Sequence, residues 1–254
     1  MSIHSMSRRL IIILLAPINS QQTEFAKVEF IIMSVFEIYK GDGGAKFMRP
    51  IHNREEYLSS RNTPKQRQTL KIVREGLRVG DQRSGMQDAT KKNLLTQMNY
   101  SCLPNPDGSL KGSKTASTSV GMDIDFKAPK ELSAEEQQAW LAKQMAGVPE
   151  LVLSKRGELG LLMLERSATK GYHLVFRRRE DLSQEENLRW ASELLGVEYD
   201  DKAKDITRVF FTTTADADEL LFLDDEIFNP LPASPRGGED GTPRVSPRTQ
   251  KGQS

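Results

Sequence analysis

The sequence predicts an α+β (mixed α/β) fold, a central sheet flanked by helices, and two observations carry that prediction. Two capping boxes open helices: Ser133 with Glu136, running through about Met145, and Ser183 with Glu186, carrying Leu188, Ala191 and Leu195 on one face. Around them lie short apolar runs of strand character at residues 35–39, 120–126, 151–153, 159–165, 172–177 and 206–212. Gly147 and Gly196 stand where helix C-caps belong. The first strand closes on a glycine turn, Gly41-Asp42-Gly43-Gly44. Residues 54–98 are polar and predict helix, with Leu70, Val73 and Leu77 at one helical face.

The chain has 254 residues, 36 Lys and Arg against 35 Asp and Glu, three His and one Cys. The balanced charge excludes a histone-like polyelectrolyte, though not a local basic patch. A lone Cys102 excludes a disulfide framework and a cysteine zinc cluster, and fits a cytoplasmic setting. No apolar run approaches the roughly 18–20 residues of a membrane span. Arg8 and Arg9 before the apolar residues 10–17 imitate a signal peptide, but no small-residue cleavage site follows. Residues 1–32 are therefore expected to lie upstream of a true start at Met33, or to form an extension outside the core. Residues 232–254, with Pro235, Pro243 and Pro247, four Gly and no aromatic residue from 233 onward, are expected to form a disordered tail or linker. The expected catalytic domain is 33–231.

Chemistry concentrates in three places. Along Val120-Gly121-Met122-Asp123-Ile124-Asp125-Phe126, alternation puts the apolar side chains on one face and both Asp on the other. Their Cβ atoms are then roughly 6.5–7 Å apart, a spacing at which two carboxylates can share hard divalent cations such as Mg²⁺ or Mn²⁺. The plain alternative is a solvated strand with two incidental acids. The apolar opposite face and a central position in the fold favour a cleft.

Second, Arg166-Ser167-Ala168-Thr169-Lys170-Gly171-Tyr172-His173 is a polar turn entering a strand, with five basic and no acidic residues from Arg166 to Arg179. Backbone N–H groups, the Ser167 hydroxyl, the Lys170 ammonium and the His173 imidazole suit a phosphate. A single His is more often structural, but its setting here favours a ligand. Arg177–Arg179 read as a solvated strand end or a nucleic-acid contact. Third, Tyr199-Asp200-Asp201-Lys202-Ala203-Lys204-Asp205 precedes Arg208, so an acid there could complete a metal site or simply cap a strand. Asp216, Asp218, Asp224 and Asp225 read as surface acids. From Arg54 to Lys92 there are ten Lys or Arg and five Asp or Glu, either a solvated helix face or a nucleic-acid backbone surface.

Other chemistries fit poorly. Zinc-ligand spacing, a P-loop and a Gly-x-Ser-x-Gly elbow are all missing from the sequence. Metal-dependent glycosyltransferases also carry Asp-x-Asp, but not the basic turn and His.

Taken in order, the three motifs resemble those of the archaeo-eukaryotic primase (primase–polymerase) superfamily. More narrowly they are similar to the VirE N-terminal, primase-like family of bacterial mobile elements. Gly121-Met122-Asp123-Ile124-Asp125-Phe126 matches the first motif, Ser167 through His173 the second, and Tyr199-Asp200 the third. Leu103-Pro104 and Lys204-Asp205-Ile206-Thr207-Arg208-Val209-Phe210-Phe211 also fit, and the likeness spans about 33–231. The resemblance implies a primase-like core and nucleotidyl transfer from nucleoside triphosphates on a DNA template, in mobile-element replication. It implies a two-metal Mg²⁺ or Mn²⁺ site on Asp123, Asp125 and a third acid, Asp200 first, with Asp201 and Asp205 as alternatives. It further implies phosphate contacts from Ser167, Lys170 and His173, with Arg208 assisting, and leaves three arrangements open: a stand-alone core, a truncated gene, or one partner of a separately encoded helicase. The competing expectation is a non-catalytic nucleic-acid-binding module of the same fold.

Overall fold

The computed structural model describes residues 34–78 and 91–229. The expectations for residues 1–32, for the 232–254 tail and for the Leu77 side chain lie outside the described residues.

Strands β1 (Phe36–Lys40) and β2 (Lys46–Pro50) form an antiparallel hairpin across the glycine turn. The polar region that follows is only partly helical. It gives α1 (Arg54–Arg61) and α2 (Pro64–Arg78), and then a strand, β3 (Gln97–Asn99), antiparallel to β1. Buried Met98 and Asn99 anchor this short strand, and three residues carry too little pattern to be seen from periodicity. Leu70 and Val73 on α2 are buried as their spacing predicts, against Leu95 and Ala168.

The second half is built on β4 (Ser119–Asp125), β5 (Leu161–Arg166) and β6 (Gly171–Arg177). Helices α3 (Ala134–Met145), α4 (Val148–Ser154) and α5 (Arg156–Leu159) lie between β4 and β5, and α6 (Gln184–Leu195) follows β6. Strands β7 (Phe210–Phe211) and β8 (Leu220–Leu223) complete two antiparallel four-stranded sheets, ordered β2-β1-β3-β7 and β4-β6-β5-β8. The α+β class therefore stands, but with two sheets instead of one central sheet. The reason lies in β5 and β6, which are apolar on both faces. Leu161, Leu164, Leu174 and Phe176 pack under Leu188, Ala191 and Leu195 of α6. Leu162, Met163 and Val175 point the other way, into a layer with Met98, Tyr100 and Phe210 of the first sheet and Tyr57 of α1. A strand apolar on both faces must be covered on both, here by helices and by a second sheet.

Both capping boxes form as expected, with each Ser side chain accepting from the Glu backbone N–H and each Glu reaching back to the Ser. Ser183→Ala should lower stability by about 1 kcal/mol in urea denaturation, the usual cost of losing such a cap. Gly196 ends α6 in the left-handed conformation, but Gly147 does not end α3 that way: it is the N-cap of α4. Pro149 restarts a helix there, because a first-turn position needs no N–H partner. That helix also absorbs residues 151–153, which therefore form no strand. The expected strand at 206–212 shrinks to two residues, since the Asn99 amide takes the carbonyls of Ile206 and Arg208 at 2.8 and 2.9 Å.

Candidate functional site

Strand β4 is the edge of its sheet by pairing, not its middle. Its open edge is nonetheless closed, because Ser101 Oγ accepts from the Gly121 N–H at 2.9 Å and the Asp123 carbonyl accepts from the Asp200 N–H at 2.8 Å. A side chain at Gly121 would collide with the Phe210 ring, so this glycine lets the first sheet come down onto β4. The apolar face of β4 (Val120, Met122, Ile124) enters the helix-covered core. The other face carries Asp123 and Asp125 into a pocket of about 140 Å³.

That pocket collects residues from all three motifs. Asp123, Asp125, Ser167, His173, Asp200 and Arg208 line it, with Lys92, Lys202 and Phe211 among the other walls. Strand register explains the first set: Asp123 on β4 lies directly opposite His173 on β6, and His173 directly opposite Glu165 on β5. The segment after α6 explains the second. Asp200 caps a one-turn 3₁₀ segment, Asp201–Lys204, and Asn99 pins the backbone that follows so that Arg208 turns inward. Arg208 Nη2 then lies 3.2 Å from Asp123 Oδ2 and 3.5 Å from Asp200 Oδ2.

Of the three acids considered beside Arg208, only Asp200 lines the pocket. Asp201 is exposed and pairs with Lys204 at 3.1 Å, and Asp205 accepts from the Thr207 N–H and hydroxyl, both at 2.8 Å. Lys170 is not in the lining, although its charge acts on Asp125. Burial raises the Asp125 pKa, Lys170 opposes that, and the Asp123 and Asp200 charges add to it. Arg208 lies between the other two acids, and its Nε is buried without a partner in the described structure.

The carboxylate oxygens of Asp123, Asp125 and Asp200 are donors of the type hard divalent cations take, whereas the Arg208 guanidinium is no ligand and bridges Asp123 and Asp200. Among the described residues, no three His, Cys, Asp or Glu are gathered closely enough to hold a metal.

The structure also brings in residues the sequence did not single out. His173 Nδ1 is 2.8 Å from Glu165 Oε1, and Nε2 is 3.8 Å from Asp123 Oδ1. The other Glu165 oxygen pairs with Arg61, both side chains being fully buried. Arg61 in turn donates to the Tyr57 hydroxyl at 2.7 Å and the Thr213 carbonyl at 3.1 Å, and Tyr57 shares a hydrogen bond with Tyr100. Burial alone would raise the Glu165 carboxyl, but the Arg61 charge and the His173 contact carry it below the ordinary range. Burial likewise opposes charge on His173, and the Glu165 hydrogen bond with the Asp123 and Glu165 charges outweighs it, leaving its pKa raised. Burial pushes the Tyr57 hydroxyl up to about 12, so it stays protonated. The only local sequence signal for Glu165 is an acid at a core position of an apolar strand.

Part of the basic excess at 54–92 is paired within the chain. Arg61 pairs with Glu165 in the core, Arg74 with Glu219, and, at the surface, Arg67 with Asp216 and Arg54 with Asp225 at 2.7 Å. Asp216 and Asp225 are thus surface acids as expected, each paired with a helix arginine. Arg178 is neither a solvated strand end nor a nucleic-acid contact. It donates to the carbonyls of Ser117, Ser101 and Ser119 and to Gln184, and burial lowers its pKa to about 10.

No family model matches this chain, and neither a curated protein nor a solved structure matches it. Among the described residues no helix is long and apolar enough to cross a membrane.

Proposed function

We propose that the chain is a primase or primase–polymerase-like nucleotidyltransferase, transferring nucleoside monophosphate units from NTP or dNTP to a 3′-OH on a DNA template during replication of a mobile element. The observation that carries this reading is the convergence of Asp123, Asp125, Ser167, His173, Asp200 and Arg208 on one pocket from three separate segments. A helicase supplied as a separate chain is part of the same reading, by resemblance alone.

In this reading Asp123, Asp125 and Asp200 hold divalent cations, which when bound supply charge neutralisation for an attacking and a leaving oxygen. Arg208, displaced from Asp123 and Asp200, turns its guanidinium to a phosphate. The Ser167 hydroxyl and the Nε2–H of a doubly protonated His173 donate to other phosphate oxygens, and Phe211 and Val209 form the apolar wall. Lys92 and Lys202 at the rim favour entry of a polyanion. The 3′-oxygen attacks the α-phosphorus as its proton departs, the α–β phosphoanhydride bond breaks, and pyrophosphate leaves. The protein contributes positioning and preorganised charge.

The test is template-dependent incorporation of labelled nucleotide with Mg²⁺ or Mn²⁺. Asp123→Ala/Asp125→Ala should reduce incorporation at least about a hundredfold, the scale expected when charge stabilisation of several kcal/mol is lost. Equal incorporation by both proteins would sink the site assignment. The binding-module reading is favoured by one observation: Arg208 already neutralises Asp123 and Asp200, and among the described residues no three acids are gathered to hold a metal. It wins if the parent binds DNA and incorporates nothing.

A further inference from the structure

We propose that Glu165, held in place by Arg61, is a positioning residue for His173: it turns the ring so that Nδ1 faces the core and Nε2 faces the pocket. The proposal deepens the reading of the pocket as a triphosphate site, and it rests on that reading only for what Nε2 meets.

The argument begins with the strands. Asp123, His173 and Glu165 occupy one row across β4, β6 and β5, so the imidazole is flanked by a carboxylate on each side. The two carboxylates differ in kind. Asp123 lines the pocket, whereas Glu165 does not and is fully buried. At 2.8 Å from Nδ1, an ionised Glu165 can only accept, so Nδ1 must carry the hydrogen. Nε2 is then the nitrogen left for the pocket, and the Phe210 ring, nearly perpendicular with its centroid 5.3 Å from that of the imidazole, limits its rotation.

A buried carboxylate is costly, and a structural ion pair with Arg61 would be satisfied without any imidazole. Glu165 instead divides its oxygens, one to Arg61 and one to His173. Arg61 is itself fixed by two further groups: the Tyr57 hydroxyl, braced by Tyr100, and the Thr213 carbonyl. The chain Tyr100–Tyr57–Arg61–Glu165–His173 thus runs from the centre of the molecule to the pocket wall. Partners of this kind behind a functional imidazole set its tautomer and orientation.

The test keeps the buried charges balanced by changing both partners. In Arg61→Met/Glu165→Leu no acceptor remains for Nδ1–H, and in Arg61→Met/Glu165→Gln the amide oxygen can replace it. ATP with Mg²⁺ is the probe for binding. The Leu double variant should bind it about tenfold or more weakly than the parent, the scale of losing such a partner, and the Gln double variant should recover most of that. The second readout is independent of nucleotide. The chain has three histidines, so the ring N–H proton of His173 is assignable in ¹⁵N-labelled protein by its loss in His173→Gln. An exchange-protected Nδ1–H should be present in the parent and in the Gln double variant and absent with Leu. Parent-like ATP affinity in a folded Leu double variant overturns the proposal, as does a parent ring with no protected Nδ1–H. Should the Leu protein not fold, the parent and Gln spectra decide. A protected Nδ1–H in a parent that binds no ATP upholds the positioning and removes the triphosphate reading instead.

Discussion

Arg61→Ala is expected to lower the unfolding free energy by about 3–5 kcal/mol, the usual cost of leaving one member of a buried ion pair alone. Both side chains of the Arg61–Glu165 pair are shut off from solvent. Removing the guanidinium leaves the Glu165 carboxylate with only His173 and the Thr213 N–H, strips the Tyr57 hydroxyl of its arginine donor, and opens a cavity between α1 and the second sheet. Arg61→Met/Glu165→Leu should lose much less, because no charge is stranded. Urea unfolding of the two proteins measures the difference, and equal losses would show that side-chain volume, not charge, governs the site. The same pair sets an acid limb. The folded Glu165 carboxyl titrates below its ordinary value of 4.5, so its contribution is complete above that pH and disappears as pH falls through the lower, folded value. The urea midpoint of the parent should therefore fall between near-neutral pH and about pH 3 more than that of the double variant.

Gly171→Ala should be the most damaging glycine-to-alanine change among the described residues. Gly171 opens β6 at φ 145°, where a side chain is strained, and a Cβ built there would stand 1.8 Å from the Ile124 carbonyl oxygen. The obstacle is backbone, so no side chain can swing away. Either β4 is pushed off β6 beside Asp125, or the hairpin shifts. The combined strain and overpacking should cost about 3 kcal/mol or more. Gly112 is the control, since it also has a positive φ of 75° but open space around its Cβ position. Gly112→Ala should cost about 1–2 kcal/mol, from backbone conformation alone. Thermal unfolding of the two variants distinguishes them, and equal shifts would remove the close approach as the cause.

Local patterns were legible wherever the physics is local. Ser133 and Ser183 cap helices because the partner glutamate is three residues away on the same turn. The alternation of 120–126 sorted Asp123 and Asp125 onto the face opposite Val120, Met122 and Ile124, as the pocket and core memberships bear out. Elements whose identity depends on a distant partner were not legible. Residues 151–153 looked like strand until Pro149 and the core contacts of Val152 made them helix. Arg178 looked like a surface cation because its three carbonyl partners lie near Ser101 and Ser119, far away in sequence.

By itself, then, the sequence determined the α+β class, the two capped helices and that Asp123 and Asp125 share a face, because period and capping act within a few residues. Only the tertiary structure decided that there are two sheets, that Asp200 and not Asp201 or Asp205 reaches the pocket, and that Arg61 and Glu165 stand behind His173. Those outcomes depend on strand register and on burial. A carboxylate 104 residues from its arginine becomes its partner only when both are taken out of water together.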